Sequence, residues 1–463
     1  MSTTAYPPKY NIAIIGGGIT GATAAQSLAQ HPNVNVHLFD QGRRGVGGRT
    51  SSRTSTDASM RWDHGCQFFR ADTDQFKELV QHWMAKDLIQ EWEGRFISSP
   101  HNNEIHRDFF GLPSLPPFYV GKDGMQSISQ GILEDIITAR ASDDKDHIHN
   151  LTLFTGTRVA HLERDEESKR WKIFGTTGNA AFHDTPEKVV QQSNGNNKIK
   201  TPLGCAEGYD AIILTDVSSS FGNWHRASAG VPESFAARVR ERVGSRVPLF
   251  TAMIAFDKES GIPFDAGTFD NSVLWFASKS NSKPGMDTAG MMECWTLVST
   301  PEYAMKQISE TPMQDPKTGD FIPQSEDYLT TVPGPDLIKA FCKDLTSNKG
   351  ILGEGALSDN DIPNIIQVDA QRWGSAMPCH RHLDDTSKTR KVLSGVPYDS
   401  GKSPLAPTKL EACSHGDDKS FLMDEELMIF QAGDMMSTYT PGFESAALSG
   451  LDAATCLWRK LSN

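Results

Sequence analysis

Three glycines near the N-terminus have the spacing of a phosphate-binding turn. Gly16, Gly18 and Gly21 form the pattern G-x-G-x-x-G. The first glycine permits a tight bend, the second lets backbone amides approach a pyrophosphate, and the third lets a helix pack closely on a strand. Asp40 follows 19 residues after Gly21 and can accept hydrogen bonds from a ribose diol. The residues predicted to bind a dinucleotide here are Gly16, Gly18, Ile19, Thr20, Gly21 and Asp40.

The elements around these residues complete a βαβ unit. Residues 10–15 are rich in β-branched side chains, residues 22–30 form a small-residue helix that ends near Pro32, and residues 34–40 alternate like a strand. A later run at 209–216 predicts the strand that rejoins the same sheet. Because a strand, a helix, a second strand and a terminal acid all occur in order, the pattern favours dinucleotide binding over a structural turn.

A second glycine-rich loop at 41–50 indicates which dinucleotide is bound. It contains Gly48 and Arg49, after the pair Arg43 and Arg44. Such a loop suits a cofactor whose pyrophosphate is clamped from a second side and whose flavin end is held along the loop, so we predict FAD rather than a nicotinamide nucleotide. We predict that Gly48 and Arg49 bind the cofactor and that the other two arginines lie in a solvated turn.

The C-terminal region predicts a second contribution to the same site. A buried strand at 427–430 is followed by Gly433 and Asp434, and a helix opens near 442. The carboxylate of Asp434 can order the ribityl hydroxyls or the surroundings of the pyrophosphate. Free amides at the helix start can face the electron-rich edge of a reduced flavin. The residues predicted to supply these contacts are Gly433, Asp434, Glu444, Ser445 and Ala446.

Several segments resemble the FAD-dependent amine-oxidase superfamily and, within it, the renalase-like branch. They are the loop Gly47-Gly48-Arg49, the stretch 61–69 (RWDHGCQFF), the turn 119–125, and residues 274–277 with 282–285. The resemblance implies a Rossmann-type FAD-binding domain interleaved with an antiparallel-sheet substrate domain. It departs from the family at Met435, where a tryptophan is common, and at Val217, near which a proline is common.

The resemblance also implies roles for single residues. It places the backbone of Val159 beside the adenine, and it places His64 and Gln67 near the flavin. A structural hydrogen bond is an equally good interpretation of His64. The implied substrate is an abnormal dihydronicotinamide isomer, oxidised with O2 as the final acceptor to give hydrogen peroxide.

Large aromatic residues are candidates for the lining of a water-poor chamber over the flavin. Each is also a candidate for the hydrophobic core, and no catalytic base is required for a dihydropyridine or a neutral amine. The catalytic candidates that we name are therefore His64, Gln67, Trp275 and Trp373. Further lining candidates are Phe68, Trp295 and Tyr439.

The motifs predict an α/β protein of two interleaved domains. The FAD-binding domain is expected at 1–70, 151–220 and 424–463. The substrate domain is expected at 71–150 and 221–423. Polar surface insertions that bury little area are expected at 179–207, 300–333 and 384–423.

Composition narrows the function classes. The chain has 463 residues and a net charge of −13, which disfavours binding to a nucleic acid or an anionic membrane surface. Its seven cysteines are scattered without metal-ligand spacing, so no metal site is predicted. The apolar runs are too short to span a bilayer and no secretory signal is evident, so we expect a cytoplasmic protein with a small-molecule substrate. The oligomeric state stays open.

Two alternative functions stay open at this stage. One is a different flavin enzyme, either an amine oxidase or a polyene desaturase or isomerase. The other is a flavin-binding protein without turnover, serving as a redox partner or an assembly factor, for which the large polar insertions are the reason.

Overall fold

The computed structural model describes most of the chain with several gaps. The described residues are 9–98, 117–141, 150–177, 202–221, 230–244, 246–287, 292–312, 322, 324–325, 327–378, 420–437 and 442–462. Within them the strands are β1 (Tyr10–Ile15), β2 (Val34–Phe39), β3 (Ser52–Thr54), β4 (Arg61–Asp63), β5 (Ile89–Glu91), β6 (Phe96–Ser98), β7 (Tyr119–Gly121), β8 (Leu151–Phe154), β9 (Thr157–Arg164), β10 (Trp171–Thr177), β11 (Ala211–Leu214), β12 (Arg246–Phe256), β13 (Ala266–Thr268), β14 (Leu274–Lys279), β15 (Glu293–Ser299), β16 (Ile365–Pro378), β17 (Leu422–Asp424) and β18 (Ile429–Gln431). The helices are α1 (Ile19–Ala29), α2 (Asp74–Ala85), α3 (Gln126–Ala141), α4 (Glu233–Val243), α5 (Pro301–Glu310), α6 (Tyr328–Thr331), α7 (Pro333–Thr346) and α8 (Phe443–Ser462).

A six-stranded sheet forms the dinucleotide-binding half. Its order is β17-β18-β11-β1-β2-β8, and all neighbours are parallel except the edge pair β17 and β18. Strands β1 and β11 are apolar and buried at their centres, as parallel strands covered on both faces must be. Strand β17 begins within the stretch expected as a polar insertion at 384–423, and the expectation is wrong for its buried residues Leu422 and Met423.

Helices α1 and α8 pack closely on one another beside this sheet. A Cβ on Gly450 would lie 2.1 Å from the carbonyl oxygen of Thr20. The hydroxyl of Thr23 donates to the carbonyl oxygen of Ala447 at 2.9 Å. The small residues of both helices therefore bring the N-terminal and C-terminal segments of the chain together beside the sheet.

A second six-stranded sheet forms the other half, in the order β16-β12-β15-β14-β13-β6. Its pairs are antiparallel except β13 with β6. One core cluster contains residues of both halves, including Ile14 of β1 and Phe276 of β14. The predicted fold class, a Rossmann-type domain interleaved with an antiparallel-sheet domain, is confirmed.

Part of the segment expected as a polar insertion at 300–333 is helical and buried. Thr300 begins α5 by accepting a hydrogen bond from the amide of Tyr303 at 3.1 Å. Tyr303, Ala304 and Tyr328 are buried against the second sheet. The expectation of little buried area is wrong for these residues because polar residues occupy the opposite face of each helix. Most of 179–207 and 384–423 lies outside the described residues.

Candidate functional site

A cavity of about 980 Å³ lies at the carboxyl ends of the parallel strands and extends to the second sheet. Its wall includes Ile15 at the end of β1, Phe39 at the end of β2 and Leu214 at the end of β11. On the other side it reaches Leu249 of β12 and Val298 of β15. Ligands of open α/β sheets bind at the carboxyl ends of the strands, and this volume is at the upper end of ligand sites.

Two glycines of the N-terminal turn are required by the protein itself. Gly16 has φ +107°, and a Cβ there would lie 2.2 Å from Thr215 Oγ1. A Cβ on Gly21 would lie 2.0 Å from the carbonyl oxygen of Gly16, so α1 approaches the strand only with glycine at this position.

Gly18 differs from these two glycines because the protein leaves space beside it. Its φ is −70°, and the nearest atom to an added Cβ would be the carbonyl oxygen of Gly47 at 3.5 Å, an ordinary contact. Gly48 faces it from the second loop, with its own added Cβ 3.6 Å from the Gly18 Cα. Gly18 and Gly48 both line the cavity, so the two glycine loops meet in its wall without side chains that would cover their backbone.

The N-terminus of α1 presents unpaired backbone donors. Its first helical hydrogen bond runs from the Ala22 amide to the Gly18 carbonyl at 3.0 Å, and it has neither a side-chain cap nor an acid in its first turn. Ile19 and Thr20 line the cavity. A helix N-terminus of this kind attracts anionic groups.

Asp40 lines the cavity and also closes the turn. Its two oxygens accept hydrogen bonds from the amides of Gly17 and Gly42, each at 2.7 Å. Burial raises the pKa of Asp40, and the two backbone hydrogen bonds oppose that effect. Each carboxylate oxygen has a second lone pair, which leaves capacity for ribose hydroxyls. Val159 lies in the same part of the wall.

Arg49 joins the second glycine loop to both halves of the protein. Its guanidinium forms a two-pronged ion pair with Asp434, with one N–O distance of 2.8 Å. It also donates to the carbonyl oxygen of Ala376 in β16 at 3.0 Å. Arg49, Gly433 and Asp434 all line the cavity. The sequence placed Arg49 and Asp434 at one site, and the structure adds that they bind each other.

The first turn of α8 also reaches the cavity. The amide of Ala446 already donates to the carbonyl of Gly442 at 3.0 Å, so the prediction that it is a free donor is wrong. The unpaired amides precede it in the first turn. Glu444 and Ala446 line the cavity, whereas Ser445 does not, and the Ser445 hydroxyl is buried without a partner.

The catalytic candidates His64 and Gln67 use their side chains within the protein. His64 is not in the cavity wall; its Nε2 lies 3.1 Å from Ser51 Oγ, and burial lowers its pKa to about 4. The amide of Gln67 donates to the carbonyls of Asp63 and Gly65 and accepts from Ser278 Oγ at 2.7 Å. Gln67 lines the cavity and His64 lies behind its wall, and these internal hydrogen bonds disfavour a direct contact of either side chain with a substrate.

The aromatic candidates divide between the cavity and the cores. Trp373 and Phe68 line the cavity, and the indole of Trp373 is fixed by a 2.9 Å hydrogen bond to the carbonyl of His64. Trp275 and Trp295 pack in hydrophobic clusters and are not in the wall, so their assignment to the chamber is wrong. Large aromatic residues fill cores for the same reason that they line cavities. Tyr439 lies outside the described residues.

Sequence reasoning missed the buried ion pair behind the wall. Lys283 Nζ lies 3.0 Å from Asp63 Oδ2, and both side chains are 0% exposed. Lys283 also donates to Gln67 Oε1 at 3.2 Å, which ties the loop after β14 to the segment that lines the cavity. Both residues fall in the segments that carry the family resemblance, but spacing alone gave no sign that they pair.

Every carboxylate in the described wall has a partner. Asp40, Asp216 and Glu444 accept backbone amides, Asp72 pairs with an arginine, and Asp434 pairs with Arg49. Among the described wall residues, Asp72 and Asp434 are thus paired with cations, whereas Asp40, Asp216 and Glu444 accept hydrogen bonds from uncharged groups. No cluster of three metal-ligating side chains occurs among the residues that the structure describes.

Comparison with known proteins supports the fold. Residues 14–83 match the family model of the NAD(P)-binding Rossmann-like domain. A reduced UDP-galactopyranose mutase has a TM-score of 0.54 at 12% identity, covering 98% of this chain and 95% of that chain. Cyclohexylamine oxidase from Brevibacterium oxydans has a TM-score of 0.53 at 11% identity, covering 98% and 100%. An oxidoreductase from Methanosarcina mazei has a TM-score of 0.50 at 9% identity, covering 95% and 99%.

No curated protein matches the chain in sequence. The structural likenesses extend over both halves of the protein, so the interleaved architecture as a whole is shared. In the described residues, no helix is long and apolar enough to cross a membrane.

Proposed function

We propose that the protein is an FAD-dependent oxidoreductase. The observation that carries this proposal is that one continuous cavity joins the glycine turn to the second sheet, because a dinucleotide bound at the turn would present its other end to the part of the cavity at the second sheet. The shared architecture with a reduced mutase and an amine oxidase supports the same conclusion.

The residues present fit FAD along this cavity. The bare backbone of Gly18 and Gly48 in the cavity wall and the unpaired amides of α1 suit a pyrophosphate. Asp40 and Val159 would hold the adenosine end. The first turn of α8 and the Arg49 to Asp434 pair would then lie toward the flavin end. When bound, FAD would accept a hydride at N5 from a small organic donor and pass the electrons to O2.

The described wall favours a donor that is not a cation. Where the described wall meets the second sheet, it carries the cation Arg372 and no carboxylate. Its other side chains there include the apolar or aromatic Leu249, Val298 and Trp373. These groups suit a planar neutral ring that stacks and excludes water. We therefore favour a dihydronicotinamide isomer over an amine as the substrate.

The protein is not required to supply a base for this reaction. Oxidation of a dihydropyridine by hydride loss yields a cation without removal of a proton. This agrees with the burial of His64 behind the wall and with the internal hydrogen bonds of Gln67. The protein would contribute binding, orientation and exclusion of water.

The test is anaerobic mixing of the FAD-loaded protein with dihydronicotinamide isomers, NADH, NADPH and a panel of amines. We expect a dihydronicotinamide isomer to bleach the visible flavin absorbance, and O2 to restore it with formation of hydrogen peroxide. Bleaching by amines alone would show that the substrate is an amine and not a dihydronicotinamide. Flavin that no donor reduces would overturn the catalytic proposal and favour a flavin-binding protein without this turnover.

Trp373 provides a matched variant for the same assay. Trp373→Leu should remove the stacking surface and slow bleaching, while Trp275→Leu, a change of the same type in the core, should affect stability but not the reduction rate of folded protein. Equal slowing by both variants would argue against a role of Trp373 in the chamber.

A further inference from the structure

We infer that Glu444 is a positioning residue that holds a fixed negative charge beside the redox end of the cofactor and lowers its midpoint potential. This inference rests on the proposed binding of FAD. Glu444 lies in the first turn of α8, lines the cavity, and is only 6% exposed. A buried acid at a helix N-terminus beside a ligand cavity acts on whatever charge develops in that cavity.

The position of the carboxylate is fixed by two backbone donors. Glu444 Oε2 accepts a hydrogen bond from the Asp72 amide at 2.7 Å, and Oε1 accepts one from the Thr73 amide at 2.9 Å. Thr73 is the N-cap residue of α2, so the carboxylate lies at the positive end of that helix. Glu444 therefore connects the N-termini of α2 and α8.

Aromatic packing holds the same turn of α8 in place. Phe443 stacks on Phe69 with ring centroids 4.1 Å apart and an interplanar angle of 12°. It also contacts Trp83 of α2 edge-on at 6.3 Å. The backbone at Glu444 is therefore anchored through Phe443, and its carboxylate through the two amides at the N-terminus of α2.

The Glu444 carboxylate has no cationic partner among the described residues. Arg49 pairs with Asp434, and Arg70 pairs with Asp72 at 2.9 Å, so each pair contributes little net charge. Arg372, which also lines the cavity, donates to the carbonyl of Thr311 at 3.2 Å, and no contact joins it to Glu444. In the described wall, the partners of the Glu444 carboxylate are thus uncharged amides.

The electrostatic consequence concerns reduction of the flavin. Reduction adds electron density, which the unpaired amides of α8 stabilise and a nearby carboxylate destabilises. Glu444 places both influences in one helical turn. The midpoint potential of the bound cofactor is then set lower than the helix N-terminus alone would set it, and a lower potential favours reoxidation by O2.

The experiment compares Glu444→Gln with Thr73→Ala in the FAD-loaded protein. Glu444→Gln removes the charge and keeps one acceptor oxygen for the α2 amides. Thr73→Ala removes the α2 cap, which accepts from the Phe76 amide at 3.2 Å, and leaves every charge unchanged. The readout is the midpoint potential from spectroelectrochemical titration, with the dissociation constant of FAD measured in parallel.

We expect a positive shift of the midpoint potential in Glu444→Gln and no shift in Thr73→Ala. An unchanged potential in Glu444→Gln, or equal shifts in both variants, would overturn the inference. If Glu444→Gln cannot be loaded with FAD, Glu444→Ala replaces it: a positive shift supports the role of the charge, and a potential equal to wild type contradicts it. Failure of the wild-type protein to bind FAD would overturn the proposed function itself, which distinguishes the two failures.

Discussion

Gly18→Ala and Gly21→Ala should separate ligand binding from folding within one motif. The added Cβ of Gly18→Ala would meet only the Gly47 carbonyl oxygen at 3.5 Å, and its φ of −70° suits alanine. Replacement of a glycine stabilises the fold by lowering the entropy of the unfolded chain, and this gain opposes the loss from alanine being a poorer helix cap than glycine. The unfolding free energy should therefore stay within about 1 kcal/mol of wild type.

The effect of Gly18→Ala on FAD should be larger than its effect on folding. A methyl group added to a filled site costs about 1–3 kcal/mol, which corresponds to roughly 5- to 150-fold weaker binding. In Gly21→Ala the added Cβ would lie 2.0 Å from the carbonyl oxygen of Gly16. That contact requires the helix to move, so we expect a loss of unfolding free energy of about 3 kcal/mol or more.

The assay is urea unfolding of the FAD-free protein and fluorescence titration of FAD for each variant. Gly355→Ala serves as the control, because no atom lies within 4 Å of its added Cβ and it is not in the cavity wall. The reasoning would be refuted if Gly18→Ala bound FAD as tightly as wild type, or if it destabilised the fold as much as Gly21→Ala.

Three further predictions concern charged and titrating groups. In a double-mutant cycle of Arg49→Met and Asp434→Asn, measured by urea unfolding, we expect a coupling free energy of about 1–3 kcal/mol between the two residues. The reason is that Asp434 is buried, while the Arg49 side chain is 36% exposed. Effects of the two mutations on the unfolding free energy that add within about 0.5 kcal/mol would contradict this expectation. Burial lowers the pKa of His64 to about 4, so protonation of His64 favours the unfolded state. The contribution of His64 to the unfolding free energy is therefore complete above pH 6.5, and it decreases by at most about 3 kcal/mol as the pH falls to 4. His64→Gln should flatten this part of the profile of unfolding free energy against pH, and an unchanged profile would argue against it. Lys283→Met should lower the unfolding free energy by about 3–5 kcal/mol, because it leaves the fully buried Asp63 without its ion-pair partner. The double variant with Asp63→Asn should regain part of this stability in thermal unfolding. No regain would show that loss of the ion pair is not the cause.

The local parts of the fold could be predicted from the sequence. The glycine turn, β1, α1 and β2 are consecutive, and their patterning follows from spacing within about 30 residues. The structure confirms the Rossmann-type architecture that this pattern indicates. The C-terminal contribution was also predictable, because Gly433 and Asp434 lie between a buried strand and a helix.

The destinations of single side chains could not be predicted in the same way. The Glu444 carboxylate bonds an amide 372 residues away in sequence, and Gln67 bonds a hydroxyl 211 residues away. Such contacts depend on the packing of the two halves, which no local pattern encodes. Trp275 and Trp373 show the same limit, since only the fold decides which tryptophan fills a core and which faces the cavity.

The central claim, that this cavity binds FAD, is tested most directly by the visible spectrum of the purified protein before and after addition of FAD. We expect a flavin spectrum that stays with the protein through gel filtration at about one FAD per chain, with binding weakened in Gly18→Ala. A colourless protein that does not take up FAD would contradict the account.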